Sequence, residues 1–211
     1  MIRLHNQDCM EAMKSAPDDF WDLGIVDPPY GMKRLGAQSG GIKSTSHRAY
    51  HHQAIDKWDQ PPTKEYFELL RRKTKNQIVW GGQYFTDKLP LSRCWICWDK
   101  VQFMPTYSKI ELAWTSFKLQ TEIFKYRNID SPGFKIHPTQ KPIALYEWLL
   151  SKYAKKGFTI LDTHLGSGSS AIAAHRMGFE FDGYEIDRDY FEGAENRLRE
   201  EQKQLLLFGS R

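Results

Sequence analysis

FTILDTHLGSGSSAIAAHRMG, residues 158–178, is an apolar run ending in a carboxylate, then a turn with two glycines, then a small-residue stretch closed by Gly178. It reads as strand, glycine turn and helix. The next segment, FEFDGYEIDRDYFEGAENRL at 179–198, reads as a strand ending in Glu185 followed by another helix. In outline this is a nucleoside-binding unit. Gly166 and Gly168 let the backbone approach a ligand, and Glu185 stands at a strand end where it can bind ribose hydroxyls. G-S-G-S-S-A also fits the G-x-G-x-x-A dinucleotide pattern, so charge has to separate the two cofactors. A dinucleotide would set its pyrophosphate over the turn beside Asp162, an unfavourable neighbour, whereas S-adenosylmethionine carries an ammonium and a sulfonium that carboxylates favour.

Outward from this unit, short apolar runs alternate with helical patterns, which predicts an α/β sheet with helices on both faces. Strands are predicted at 22–26, 77–80, 95–98, 110–114, 159–161 and 181–186. Helices are predicted to start after Asp8, near Lys64, at Pro142, after Gly168 and after Asp187, with Gly178 as a helix stop. At 211 residues one domain is expected, with a loop insert at 31–57 and a tail at 199–211. The insert holds four glycines without sustained periodicity.

A second stretch, GIVDPPYG at 24–31, is another apolar run ending in an acid. Asp27 precedes a proline and must be extended, and Pro28 and Pro29 fix their own φ angles, so the segment is stiff. Neither proline can donate a hydrogen bond. A ligand meets two acceptors, the Asp27 carboxylate and the Pro28 carbonyl, which suit an NH2 group. Tyr30 adds a face on which a planar base can stack, worth about 1–3 kcal/mol in nucleic-acid sites. Acceptors on the hydrogens of an exocyclic amine favour tetrahedral nitrogen and spread the positive charge that develops as it attacks. As a strand-end acid facing a pocket, Asp27 is expected to contribute little to the core, so its removal should spare the fold.

Composition sets the limits. The formal net charge is +4, but residues 31–140 hold eighteen Lys/Arg against nine Asp/Glu, the footprint of a polyanion partner. No apolar run approaches the ~20 residues of a membrane span. MIRLHNQD shows no signal-peptide core, and three cysteines form no disulfide framework, so a cytoplasmic protein is expected. Cys94-x-x-Cys97 reads as strand packing, and His47, His51 and His52 as loop histidines near phosphate. No metal is expected.

DPPY at 27–30, HPTQKP at 137–142, LDTHLGSGS at 161–169 and GYEIDRDYFEGAENRL at 183–198, in that order, resemble the amino-methyltransferases of DNA. IVWGGQYF at 78–85, WICWDK at 95–100 and ELAWTSF at 111–117 extend the resemblance over nearly the whole chain. The catalytic motif before the cofactor motif resembles the β group, which implies a circularly permuted Rossmann-like methyltransferase fold with a mostly parallel seven-stranded sheet. The resemblance implies S-adenosylmethionine as cofactor and Asp27, Pro28, Pro29 and Tyr30 as the catalytic platform. It also implies that Asp8 meets the adenine amine, Glu185 the ribose and Lys141 the methionine carboxylate. The cofactor site so implied comprises Asp8, Cys9, Asp27, Lys141, Asp162, His164, Gly166, Ser167, Gly168, Glu185 and Ile186. Asp8 could instead simply cap a helix, Lys141 be a surface lysine, and His137 and Thr139 order a loop. The family more often has D-P-F where this chain has Asp162, Thr163 and His164.

In this family DPPY goes mostly with adenine N6 and a serine in place of the acid with cytosine N4, so Asp27 favours adenine, with cytosine N4 as the alternative. Cytosine C5 methylation needs a thiolate after a proline, which no cysteine here supplies, and a zinc deaminase lacks its H-x-E. An RNA or protein amine as substrate, a nicotinamide oxidoreductase and a non-catalytic DNA-binding subunit stay open. In duplex DNA the target base must be extruded, at a cost of a few kcal/mol. Lys33, Arg34, Lys43 and Arg48 of the insert are the expected DNA contacts. Arg71, Arg72, Lys73 and Lys75 form a second basic cluster, either a solvated helix end or a phosphate contact. QLLLF, Gln204–Phe208, resembles the peptide that docks into the replication sliding clamp. Duplex DNA, that clamp and a second copy of the chain are the expected partners.

Overall fold

The computed structural model describes the backbone of residues 1–31, 60–103, 108–127 and 140–208, with side chains up to Gln204. Insert residues 32–57 and the HPT of HPTQKP lie outside the described residues, as does everything beyond Phe208. The described strands are β1 (Ile2–His5), β2 (Trp21–Val26), β3 (Thr74–Trp80), β4 (Trp95–Asp99), β5 (Ile110–Thr115), β6 (Glu122–Lys125), β7 (Thr159–Asp162) and β8 (Glu180–Tyr184). They form one sheet of order β1-β8-β7-β2-β3-β5-β4-β6. Every pairing is parallel except those of β5, which runs antiparallel to β3 and β4. The sheet therefore has eight strands where seven were expected.

Helices α1 (Cys9–Ser15), α2 (Lys64–Lys73), α3 (Ile143–Tyr153), α4 (Ser169–Arg176) and α5 (Arg188–Phe208) begin where the sequence marks them. Asp8 caps α1, its Oδ1 accepting from the Met10 N–H at 2.8 Å. Thr63 caps α2 through the Tyr66 N–H at 3.4 Å, and Asp187 Oδ1 accepts from Asp189 and Tyr190 at the start of α5. Side-chain oxygens here take up the orphan amides of a first turn. α5 runs on past Arg199 into the expected tail at 199–211, as far as Phe208.

The carboxyl halves of β2 and β3 are apolar on both faces, as strands covered on both sides must be. Leu23, Ile25, Ile78 and Trp80 pack with α3, α4 and Ala194 of α5. Val26, Val79 and Leu161 pack with α1 and α2 through Met13, Phe67 and Leu70. The edge strand β1 is pinned to β8 by Asp182, whose two oxygens accept from the Arg3 guanidinium at 2.6 and 3.0 Å and from Trp21 Nε1 at 2.8 Å. Burial would raise this carboxyl, but those donors hold it below its usual range.

α4 ends in a left-handed residue, Gly178, at φ +73°. The Gly178 N–H donates to His175 O at 3.2 Å and the Phe179 N–H to Ala174 O at 2.9 Å, the paired bonds of a Schellman stop. Gly178→Ala meets no atom within 4 Å, so its cost is conformational alone. Chemical denaturation is expected to show a loss of about 1–2 kcal/mol. Gly82→Ala should cost more, since its Cβ would press on Trp114, with the backbone N at 2.9 Å.

Candidate active site

The chain leaves β7 through α4 toward β8 on one side, and leaves β2 toward β3 on the other. Where adjacent parallel strands send their connections in opposite directions, a crevice opens beyond their carboxyl ends. Asp162 ends β7, Asp27 follows β2 and Glu185 follows β8, so all three acids stand at this one edge of the sheet.

Asp162 is 1% exposed. Its Oδ2 accepts from Ser170 Oγ at 2.6 Å and its Oδ1 from the His164 N–H at 3.0 Å. Burial, reinforced by the charges of Asp27 and Glu185, nevertheless pushes it up to about 7. Glu185 is also raised by burial, with Oε2 accepting from the Gly166 N–H at 2.8 Å and Oε1 from the Asp187 N–H at 3.0 Å. His164 is lowered to about 4 by burial, so its ring is neutral. Cys9 is buried beside the crevice and raised to about 12 by burial. Ser167 and Gly168 form the turn into α4, and Ile186 is exposed beside Glu185.

Asp27 is held from two sides. Its Oδ1 accepts from Tyr30 OH at 2.6 Å, and its Oδ2 receives Lys141 Nζ. Lys141 is 4% exposed. Its ammonium also stands 3.3 Å from Glu111 Oε2 and 5.3 Å from the centroid of Trp80. Burial pulls this ammonium down, but the charges of Asp27 and Glu111 outweigh it and the group is raised overall. Glu111 is lowered despite burial by Lys141 and Lys100, the latter at 2.5 Å. The result is a chain of alternating charge: Asp27, Lys141, Glu111, Lys100.

Two expectations change here. Lys141 is not a surface lysine; it is buried between two carboxylates, those of Asp27 and Glu111. Asp27, as partner of that buried ammonium, is also part of the fold, so Asp27→Ala strands a charge and should not leave stability intact. Asp8 is exposed and does cap α1.

Several residues escaped the sequence reading. Tyr66 of α2 shares a 2.6 Å hydrogen bond with Thr163 Oγ1 and lies edge-on to His164 at 5.5 Å. Arg197 of α5 donates to the Ser167 carbonyl and braces the glycine turn. Tyr84, 37% exposed, tilts 30° to Tyr30 with centroids 5.2 Å apart. Gly81, at φ +67°, lies against the Tyr30 ring so closely that any Cβ would collide with it. Tyr30 is thus packed against both Gly81 and the ring of Tyr84. Glu111 stands in ELAWTSF, where its place on an antiparallel strand hides its reach toward Asp27. Lys33, Arg34, Lys43 and Arg48 lie outside the described residues, as do His47, His51 and His52.

A family model described as DNA methylase, of the N6/N4 type, matches residues 72–196. The chain belongs to the N6/N4 DNA methylase family. The matched span holds Glu111, Lys141, Asp162 and Glu185 but not Asp27. YubD of Escherichia coli (strain K12), named a methylase by inference, is 23% identical over 97% of this chain and 93% of its own length. The type II methyltransferase M.HinfI of Haemophilus influenzae is 23% identical over 92% of this chain and 67% of its own. Among solved folds, M1.HpyAVI in complex with SAM superposes with a TM-score of 0.62 at 18% identity, covering 94% of this chain and 99% of that one. The cytosine-N4-specific PvuII DNA methyltransferase superposes with a TM-score of 0.63 at 14% identity, covering 97% and 92%.

Two outcomes test this electrostatic arrangement. Asp162 binds its proton more tightly when folded, since about 7 exceeds the 3.8 of a free carboxyl. Its contribution to stability therefore falls as pH rises from about 4 to about 7 and is flat above. Asp162→Asn is expected to melt higher than the wild type at pH 8, by at least about 2–4 °C, with the difference shrinking toward pH 4. A rise that is equal at both pH values would disprove the assignment. Glu111→Gln should loosen Lys141 and lower kcat about tenfold with cofactor affinity within about twofold, read from single-turnover rates and equilibrium binding.

Proposed function

We propose that this family member transfers a methyl group from S-adenosylmethionine to adenine N6 in duplex DNA. The carrying observation is the Asp27 carboxylate, clamped by Tyr30 and Lys141 at the strand end opposite Asp162. A carboxylate offers about four lone-pair directions, and these clamps use two. Two remain for the hydrogens of an exocyclic amine.

The residues present fit the cofactor. Glu185 likewise spends one lone pair on each of two backbone amides, leaving capacity for ribose hydroxyls. Asp8 has one oxygen beyond its cap for an adenine amine. Cys9 and Ile186 flank that site, while Gly166, Ser167, Gly168 and His164 form its floor. Asp8, Asp27 and Glu185 stand at this edge against one lysine that is already paired, a charge balance that suits a sulfonium and disfavours a pyrophosphate. When bound, the cofactor supplies an electrophilic methyl group. The chain's own residues then act on the amine: Asp27 and the Pro28 carbonyl accept its hydrogens, and Tyr30 and Tyr84 offer ring faces to the base. Pro28 and Pro29 keep the platform stiff, so its acceptors need no reorganisation as charge develops on nitrogen.

Adenine is preferred over cytosine N4 because the motif carries an acid, Asp27, where a serine goes with cytosine. Lys33, Arg34, Lys43 and Arg48 are proposed on charge alone as phosphate contacts, and Gln204–Phe208 on sequence alone as a clamp peptide.

Incubating duplex DNA with the chain and methyl-labelled S-adenosylmethionine, then digesting to nucleosides, is expected to place label in N6-methyladenine. Label in N4-methylcytosine would overturn the choice of base, and label in RNA or protein alone the choice of substrate. Asp27→Asn, which keeps the shape, should lower kcat by about 10²–10³-fold while cofactor binding persists.

A further inference from the structure

Of the basic cluster at 71–75, three members are neutralised at short range. Arg72 stands 3.3 Å and Lys73 2.7 Å from Asp18, and Lys75 stands 2.7 Å from Asp22. Arg71 has no acidic partner among the described residues. It lines a cavity of about 570 Å³ at the sheet edge opposite the crevice, near the start of β3 and β4 and the end of β5. Arg93 and Lys118 line the same cavity, and neither has an acidic partner among the described residues. No carboxylate is in the lining. Three cations around one recess repel one another, an arrangement that an anion relieves.

The rest of the lining is not charged. Pro90, Leu91 and Phe117 supply an apolar wall, and Leu91 is fully exposed. Ser92 and Ser116 place hydroxyls in the wall. The wall is built before any ligand arrives. Trp114 Nε1 donates to Pro90 O at 2.8 Å, Trp95 Nε1 to Ser92 O at 3.1 Å and Ser92 Oγ to Thr115 O at 2.6 Å. The Gln77 N–H donates to Ser116 Oγ at 2.9 Å. These bonds fasten the 90–93 turn to β5. A preformed recess of a few hundred Å³, mixing apolar surface with a few converging polar groups, is the usual form of a small-molecule site.

We propose that this cavity binds a small phosphate ester, with the phosphates on Arg71, Arg93 and Lys118 and the organic part against Pro90, Leu91 and Phe117. It is separate from the methyl-transfer crevice, which lies at the other ends of the same strands. Two arginines in the set favour phosphate over a single carboxylate, since the guanidinium fork matches its oxygens. The apolar wall distinguishes a nucleotide-like ester from free phosphate.

The test uses the full chain saturated with S-adenosylhomocysteine, so that no probe is drawn to the adenosine crevice, and titrates it calorimetrically with uridine diphosphate and with inorganic phosphate. Uridine diphosphate is expected to bind one to one, about tenfold or more tighter than phosphate, and to weaken with salt. Arg93→Ser combined with Lys118→Ser should lower that affinity by about tenfold or more, each single change by about threefold. Methyl transfer and cofactor affinity should stay within about twofold. The proposal is overturned if uridine diphosphate gives no binding at millimolar concentration, binds no better than phosphate, or binds the variants as well as the wild type. It is also overturned if the same variants weaken a duplex oligonucleotide instead, which would assign the face to DNA.

Discussion

The opposite departure of the chain from β2 and from β7 fixes where chemistry can happen in this molecule. Seven of the eight described strands share a direction, so their carboxyl ends line one edge. Helices on both faces seal the flanks of the sheet. Between β7 and β2 the connections part, and the acids that end these strands are gathered there, Asp162 almost wholly out of solvent. The rise of Asp162 to about 7 and the fall of His164 to about 4 share this cause, since burial penalises whichever form is charged.

The ion network on the other wall answers that desolvation. An ammonium as deeply buried as Lys141 is sustained only by close opposite charge, which Asp27 and Glu111 supply together with the face of Trp80. An apolar replacement of similar volume would pack at no greater cost, so the network is poor evidence of stability for its own sake. What it supplies is orientation. Tyr30 fixes one oxygen of Asp27 and Lys141 the other, leaving the remaining lone pairs at defined angles. The contact of Tyr30 with Gly81 fixes the ring as well, because a side chain at 81 would displace it.

Much of this was legible in the sequence where a local signal sufficed. Asp8, Thr63 and Asp187 are side-chain caps that write helix starts into the chain, and Gly178 writes a stop. The strand-end acids Asp27, Asp162 and Glu185 follow apolar runs and could be placed at one edge by topology alone. Strands β1 and β6 were missed because IRLH and EIFK are short and bounded or broken by charged residues, unlike the apolar TIL of β7, and β1 is held by a tertiary partner, Asp182. The pairing of Lys141 was hidden for a related reason. Its partner Glu111 lies thirty residues earlier, on the one strand that runs backward, and no spacing rule brings the two together. Tyr66 and Arg197 are likewise ordinary helix residues until packing turns them toward the glycine turn.

Charge also decides how a polyanion can meet this surface. Asp8, Asp27 and Glu185 at this edge disfavour a phosphodiester, and Lys141, already paired twice, offers no relief. A base can enter such a space only as a neutral ring separated from its backbone, which is the state reached by extrusion from the stack. The attraction that offsets the cost of extrusion has to come from cations outside the crevice. The positive excess lies within residues 31–140, eighteen Lys/Arg against nine Asp/Glu, on the chain between Asp27 and Lys141.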